Sequence, residues 1–463
     1  MEPASAPLLT EEASAASGLR PNILSQTETL AQSISTIAPT TTPALTIPLV
    51  FALAGNGTWL AYAFAMGAVL LIAFCISRFA RHTSGPGSLY MYATSSLPPL
   101  ASGVAGWALL LAYTITGASV SGGFIIFANI LLVQMTGHAV NAALLGGLCV
   151  AVCTWIAYRD VQVSAEVMLW MEVGSVIAIL IVMVLLLWRH GLHFDHAQLG
   201  LHGVKASGVR LGVVLALFSF VGFESATALG DEAINPLITI PRAVVRSAFF
   251  AGLFFIGCAY LETFGMAQAH DNLGTSPAPM HVLARLVGIP ALGWIIDVGA
   301  LVSMFAATLG CITAAARVLL RMASDGIAHP ALAKTHHKNA TPHLAVLLIG
   351  FVMLLPVAIL AARGISGAEI YGWLGSLAVY GFLTTYGLAC IGLPLYLRRV
   401  HTLSNRTVAL SIAAAVAILL ALAGTLWPVP DPPYNWLPYF YLVYLALGVG
   451  WQLRATRGRE IAQ

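Results

Sequence analysis

The sequence predicts an all-α integral membrane protein of twelve transmembrane helices, arranged as two inverted five-helix repeats with helices 1 and 6 broken, plus two C-terminal helices. Three observations carry this expectation. Of 463 residues, 59% are hydrophobic and 8% charged, whereas soluble domains carry about 25% charged residues. Apolar runs recur twelve times between polar breaks, most of them near the roughly 20 residues that a hydrocarbon core requires. The first and sixth runs are interrupted near mid-depth by residues that break helices.

In chain order the runs are 31–54, 58–80, 100–135, 139–158, 165–188, 209–230, 245–267, 291–322, 343–362, 368–397, 407–427 and 437–454. The third, eighth and tenth are long enough to tilt or protrude. The expected organisation is a cytoplasmic tail over 1–30, a first repeat over 31–190, a second inverted repeat over 209–397, helices 11 and 12 over 407–454, and a tail over 455–463. The polar start carries Glu2, Glu11, Glu12 and Glu28 and lacks the basic beginning and short apolar core of a signal peptide. Cys75, Cys149, Cys153, Cys258, Cys311 and Cys390 all lie in apolar runs and read as small core residues, not a disulfide framework. The net charge of +3 names no partner beyond the bilayer, and nothing points to a nucleic acid.

An even number of spans puts both termini on one side. That side collects all 21 Lys and Arg residues except Arg189, Lys205, Arg210, Arg285 and Arg363. Basic residues accumulate on the inside, so both termini are expected in the cytoplasm and the protein in the cytoplasmic membrane.

The sixth run, within VRLGVVLALFSFVGFESATALGDEAINPLITIPR, holds Ser219, Gly222, Glu224 and Ser225 mid-way. A charge at the bilayer centre costs roughly 2.5–3.5 kcal/mol on insertion scales, so Glu224 needs compensation. Gly222 between Val221 and Phe223 is a point where helical bonding can lapse, which a membrane tolerates only against protein or a water-filled cavity. Residues 219–225 are therefore expected to be the unwound centre of a discontinuous helix facing a substrate cavity; a buried Glu paired with a neighbouring helix is the plainer alternative. In the first run, AQSISTIAPTTTPALTIPLV, Pro39, Pro43 and Pro48 each remove an amide donor and disfavour helix in the residue before. One half-helix should end near Ala38 and another begin around Pro43. Interruptions five helices apart point to an inverted repeat of spans one to five and six to ten.

FSFVGFESATALGDEAINPLITIPRAV resembles the sixth-helix signature of the amino acid, polyamine and organocation permeases. SGPGSLYMYATSSLPPLASGVAGWALLLAY is similar to their second-to-third helix segment, and AAARVLLRMASDGIAHPALAKTHHKNATPHLAV to the loop after helix eight. The resemblance implies alternating access and a site at the two breaks. There the amides opening a second half-helix suit a substrate carboxylate, and unwound carbonyls suit an ammonium or cation. The carboxylate role falls on Ala38, Pro39, Thr40, Thr41 and Thr42 by position, since many relatives are glycine-rich there. Ser219, Phe220, Gly222 and Phe223 are the expected partners from helix six, with Tyr113 and Thr116 of helix three on the far wall. Some proton-coupled relatives carry a lysine in helix five; AEVMLWMEVGSVIAIL offers Glu172 instead.

Glu166, Glu172, Glu224 and Glu262 are the carboxylates within or near spans. Burial disfavours a charged carboxyl, so Glu172 or Glu224 is the expected coupling residue, with a packing or gating role for Glu172 as the alternative. Sodium in place of the proton would use Ser303 and Thr308 of span eight, since hard cations prefer oxygen; such hydroxyls also serve packing. Trp373 and Tyr380 are weaker cavity candidates. His190, His193, His196, His202 and Asp195 in one outer loop could bind a metal, or be a loop's ordinary histidines. No cofactor is expected, and no enzyme: the serine of Gly364-Ile365-Ser366-Gly367 lacks a histidine base within reach. The expected function is secondary transport of an amino acid, with a neutral one favoured, by proton coupling or exchange. A polyamine or organic-cation transporter and a non-transporting nutrient sensor are the alternatives.

Overall fold

The computed structural model describes residue 19 and residues 21–159, 162–190, 195–276, 278–427 and 429–462, without the side chains of 162–169, 171, 190 and 455–462. Most of the N-terminal tail, Gln463, the side chains of the rest of the C-terminal tail, the Glu166 side chain, His193 and the His190 side chain lie outside the described residues. The helices are α1 (Gln26–Ile37), α2 (Ile47–Ala54), α3 (Thr58–Ala80), α4 (Leu89–Ser96), α5 (Pro99–Thr136), α6 (Ala142–Arg159), α7 (Gln162–His190), α8 (His196–Leu199), α9 (Ala206–Phe218), α10 (Pro236–Gln268), α11 (Pro279–Leu286), α12 (Pro290–Ser324), α13 (His343–Ala362), α14 (Gly367–Arg399), α15 (Asn405–Leu426) and α16 (Leu437–Ala462). Among the described residues there is no strand, only single bridges of Leu24 with Ala233 and Pro86 with Leu229.

Nine stretches among the described residues are long and apolar enough to cross a membrane, fewer than the twelve apolar runs. The difference has local causes. The first two runs form one stretch, Gln26–Ala80, joined through the 3-10 turn Gly55–Gly57. The sixth run stops as α-helix at Phe218 after 13 residues, and the twelfth is diluted by Tyr439, Tyr441, Tyr444 and Gln452. Helices α5, α12 and α14 are long, at 38, 35 and 33 residues. The seventh run is also longer than its apolar part suggests: α10 begins at Pro236 and carries Pro241 inside its 33 residues. A proline so near the start forfeits a single intrahelical bond, so the helix can begin before the apolar run does.

The closest-packed helix pairs are α5 with α14, α5 with α12, α3 with α10 and α6 with α13. Small residues permit this. A Cβ at Gly122 would meet the Gly367 carbonyl, and one at Gly381 the Ala108 carbonyl, so the α5 and α14 backbones approach as in small-residue membrane interfaces. Phe64, Trp188, Leu419, Leu420, Phe440 and Leu447 point outward and stay exposed. That outer surface suits lipid, since apolar patches this extensive are not left open to water. All six cysteines are free and buried.

Candidate functional site

Two interrupted segments meet at the centre of the bundle. Helix α1 starts with a capping box, Ser25 and Glu28, and ends at Ala38, whose φ of 52° and ψ of 63° are left-handed. Pro39 follows, having no amide to continue the helix. The chain resumes at Thr42–Thr46 as a π-helical turn and passes into α2, so the second half opens with a π turn in place of an α turn. Across from it, α9 stops at Phe218. Residues 219–229 run in three-residue turns, with Phe220 N donating to Leu217 O, Phe223 N to Phe220 O and Thr227 N to Glu224 O. The second half of the sixth run is thus the 3-10 turn Ser225–Ala228 in place of an α half-helix. Gly222 sits at φ 98°, a left-handed conformation suited to glycine, and a Cβ there would run into Thr36.

Side-chain hydroxyls lace the two segments together. Ser33 Oγ donates to the Phe223 carbonyl at 2.8 Å and accepts from Ala226 N at 3.2 Å. Ser225 Oγ donates to the Gln32 carbonyl and to Thr36 Oγ1, both at 3.1 Å. Ala38, Pro39, Thr40, Thr41, Thr42, Ser219, Phe220, Gly222, Phe223, Tyr113 and Thr116 are all buried, so the site is seen closed.

Glu224 is compensated by tyrosines. Tyr113 of α5 donates to its Oε1 at 2.9 Å and Tyr386 of α14 to its Oε2 at 2.7 Å. Hydrogen bonds to a charged group contribute about 1.5–3 kcal/mol each, so two of them offset the roughly 2.5–3.5 kcal/mol cost of a carboxylate at mid-depth. Tyr113 also lies 3.3 Å from Ser88 Oγ, which shares a 2.7 Å bond with Thr227 Oγ1.

Glu172, on α7, reaches the break in the first span. Its Oε1 accepts from Thr40 N, Thr40 Oγ1 and Ser303 Oγ, each at 2.9 Å. The amide expected to be open for a substrate carboxylate is therefore held by the protein's own carboxylate in this conformation. Glu172 Oε2, Thr41 Oγ1 and, one turn along α5 from Tyr113, Thr116 Oγ1 are buried polar atoms with no protein partner. Buried polar atoms are rarely left so.

The other expected residues divide. Ser219 shares a 3.1 Å bond with Tyr62, Phe220 meets Phe255 edge-on at 5.3 Å, and Phe223 lies 5.5 Å from Tyr386. Thr308 spends its hydroxyl on the Met304 carbonyl of its own helix, and Ser303 is engaged by Glu172. Tyr380 stacks on Tyr441 of α16, away from the breaks. Ser366 caps α14 and donates to Glu369 at 2.6 Å, so the Gly-x-Ser-Gly stretch is a helix start. Asp195 caps α8 through Ala197 N and Gln198 N, and no metal-ligating cluster exists among the described residues.

Tyr62, Tyr386, Ser33 and Ser88 were not singled out from sequence. Neither was a buried ion pair at the end of the bundle that holds the N-terminal segment. Arg317 of α12 donates Nε to Glu232 Oε2 and Nη2 to Oε1, both at 2.7 Å, with both side chains nearly inaccessible. The main chain of Ile23 and Leu24 donates to the Glu232 carbonyl, and Ile234 N to the Leu24 carbonyl. An arginine inside the apolar stretch AAARVLL was the available signal.

A bundle of apolar helices, two of them interrupted and joined at a buried polar centre, is the build of a membrane transporter. The chain belongs to the amino acid permease family, which matches residues 29–447. It is similar to a methylthioribose transporter of Bacillus subtilis, 25% identical over 416 residues covering 85% of each chain. A branched-chain amino acid permease, BcaP, of Lactococcus lactis is 26% identical over 79% of this chain and 83% of its own. Cationic amino acid transporter 4 of Mus musculus is 25% identical over 72% of this chain and 54% of its own. Family and relatives alike are transporters, not enzymes, and this chain is an integral membrane protein.

Proposed function

We propose that the protein moves an amino acid, with a neutral one favoured, across the cytoplasmic membrane by alternating access, in exchange or coupled to protons, with both termini cytoplasmic. The observation that carries this is the set of unpartnered buried atoms, Thr41 Oγ1, Thr116 Oγ1 and Glu172 Oε2, in the elements where two interrupted spans meet. A small zwitterion supplies both donors and acceptors for such atoms. Tyr113 and Tyr386 already bond both oxygens of Glu224, so this carboxylate is engaged within the protein, which supports a neutral over a dicationic substrate. The branched-chain relative fits that preference.

Counting α1 with α2 as one span and α9 with the turns after it as another gives twelve. Three of the four closest-packed pairs, α3 with α10, α5 with α12 and α6 with α13, then join a span to the one five later. A two-fold axis relating inverted repeats makes those contacts, which supports the repeat reading. Glu172 ties the first-span break to α7 and α12. Protonating it weakens that three-way hold, a direct route from proton to conformational change.

The test is a thermal-shift screen of the purified protein against amino acids, polyamines and methylthioribose, followed by uptake of the labelled hit into proteoliposomes. A ligand of the folded state raises the melting temperature. Binding without uptake would move the assignment to a sensor, and a polyamine hit would move it to an organic-cation transporter. Glu172→Gln and Glu224→Gln measured under an imposed pH gradient assign the coupling: unchanged proton dependence in both removes it.

A further inference from the structure

A third intramembrane carboxylate lies outside this arrangement. Glu262 sits on α10, six residues before its end at Gln268, about 9 Å of helix rise from the face opposite the N-terminal segment. It is wholly buried, and neither carboxyl oxygen has a hydrogen-bond partner. No ion pair among the described residues includes it. A buried carboxylate without a donor or cation costs several kcal/mol, so the neutral acid is the form this conformation accommodates.

The surroundings give that proton a path in both directions. Outward, Thr263 and Met266 of the same helix line a cavity of about 400 Å³ that also takes in Asp195, His196 and Asp271. Met266 is four residues from Glu262, hence on its face one turn nearer the opening. Inward, Phe255, two turns back along the same helix, meets the ring of Tyr62 of α3 at 6.0 Å, and the Tyr62 hydroxyl bonds Ser219 at the break after α9. Cys258 lies one turn along α10. α7 and α11 present Leu186 and Leu283 to the helix at Gly265, and their charged groups at this end are Arg189, whose guanidinium lies against Gly288, and Arg285. His281 of α11 is paired with Asp297. The π turn, α2 and the turn Ser225–Ala228 carry no titratable residue, and the Glu28 of α1 and Arg78 of α3 belong to the other end.

Resting on the proton-coupled reading, we propose that Glu262 is the proton-loading site of this outer half. A proton from cavity water adds to a Glu262 oxygen while the outer half is open, and closure traps it as the neutral acid on the helix that packs against Tyr62. Only O–H bonds are exchanged.

Infrared spectra of the purified protein in lipid nanodiscs report protonated carboxyl groups by their C=O stretch. Glu262→Gln should lose one such group, and its uptake ratio between acidic and alkaline external buffer should fall from the wild-type value to unity. An unchanged carboxyl band, or an unchanged ratio, overturns the proposal. If Glu262→Gln does not fold, Glu262→Leu decides by melting. A proton held only in the folded chain makes stability fall as pH rises above the unfolded carboxyl pKa of about 4.3, so the wild type should lose stability with rising pH more steeply than the leucine variant; equal slopes overturn the proposal. Counterflow of labelled solute, which needs no proton gradient, separates the two levels. A wild type with counterflow but no pH dependence removes the coupling reading, and with it the loading role, while the infrared comparison still shows whether Glu262 holds a proton.

Discussion

The two ends of the bundle close in opposite ways. At the end holding the N-terminal segment, Arg317 and Glu232 form a dry bidentate pair and the main chain of Ile23 and Leu24 is bonded to the same loop. At the other end His281 meets Asp297 at 3.2 Å, its histidine side chain 18% exposed, and α10 carries the unpartnered Glu262. One end is locked by fixed charge and backbone, the other by apolar packing around a carboxyl group without a partner. On the proposed loading role of Glu262, reversible protonation acts at the second end, whereas the first must break a permanent pair.

That contrast can be broken most sharply at Arg317. Arg317→Ala strands Glu232 in the interior, and removing one partner of a buried pair costs about 3–5 kcal/mol. A large fall in melting temperature and loss of uptake are expected. The double change Arg317→Met with Glu232→Leu should recover most of the stability, and with it leave the N-terminal end more open to thiol reagents at an engineered cysteine. Failure to recover would mean that the lock lies in the backbone pairing. Midway between the ends, Tyr386→Phe removes one of two donors to Glu224, worth about 1.5–3 kcal/mol, and is expected to lower the melting temperature less than Arg317→Ala while raising the KM for uptake. His281→Ala at the looser end should cost about 1 kcal/mol, measured by denaturation in detergent; a loss as large as that of Arg317→Ala would erase the asymmetry. The smallest effect is expected at Ala38→Gly. Relief of a left-handed alanine, about 1 kcal/mol, is nearly cancelled by the freer unfolded chain at about 0.4–1 kcal/mol, so stability should scarcely change.

What the sequence disclosed follows from range. Pro39 and Pro43 act on their own neighbours, so the end of α1 could be read beside them. Glu224 announced a cost, and Gly222 a place where the chain could turn. Partners were hidden because they come from afar: Tyr386 lies 162 residues from Glu224, and Thr40 lies 132 from Glu172. The extent of unwinding after Phe218 was also hidden. Apolar content over 209–230 looked like a full span, yet the left-handed Gly222 and Asn235 hold the chain out of α-helix until Pro236. Hydropathy reports where lipid can be, and it is blind to which backbone bonds are made there.

The bonding of Ile23 and Leu24 to Glu232 has a practical corollary. Cargo fused ahead of residue 19 would be tethered, through a few residues, to the very loop that carries the Arg317 partner, so its drag would be felt by the latch. Cargo placed behind α16 would instead hang from a helix anchored by Gln452 to the start of α5, leaving the latch untouched. Affinity handles and fluorescent reporters belong at the rear of this chain.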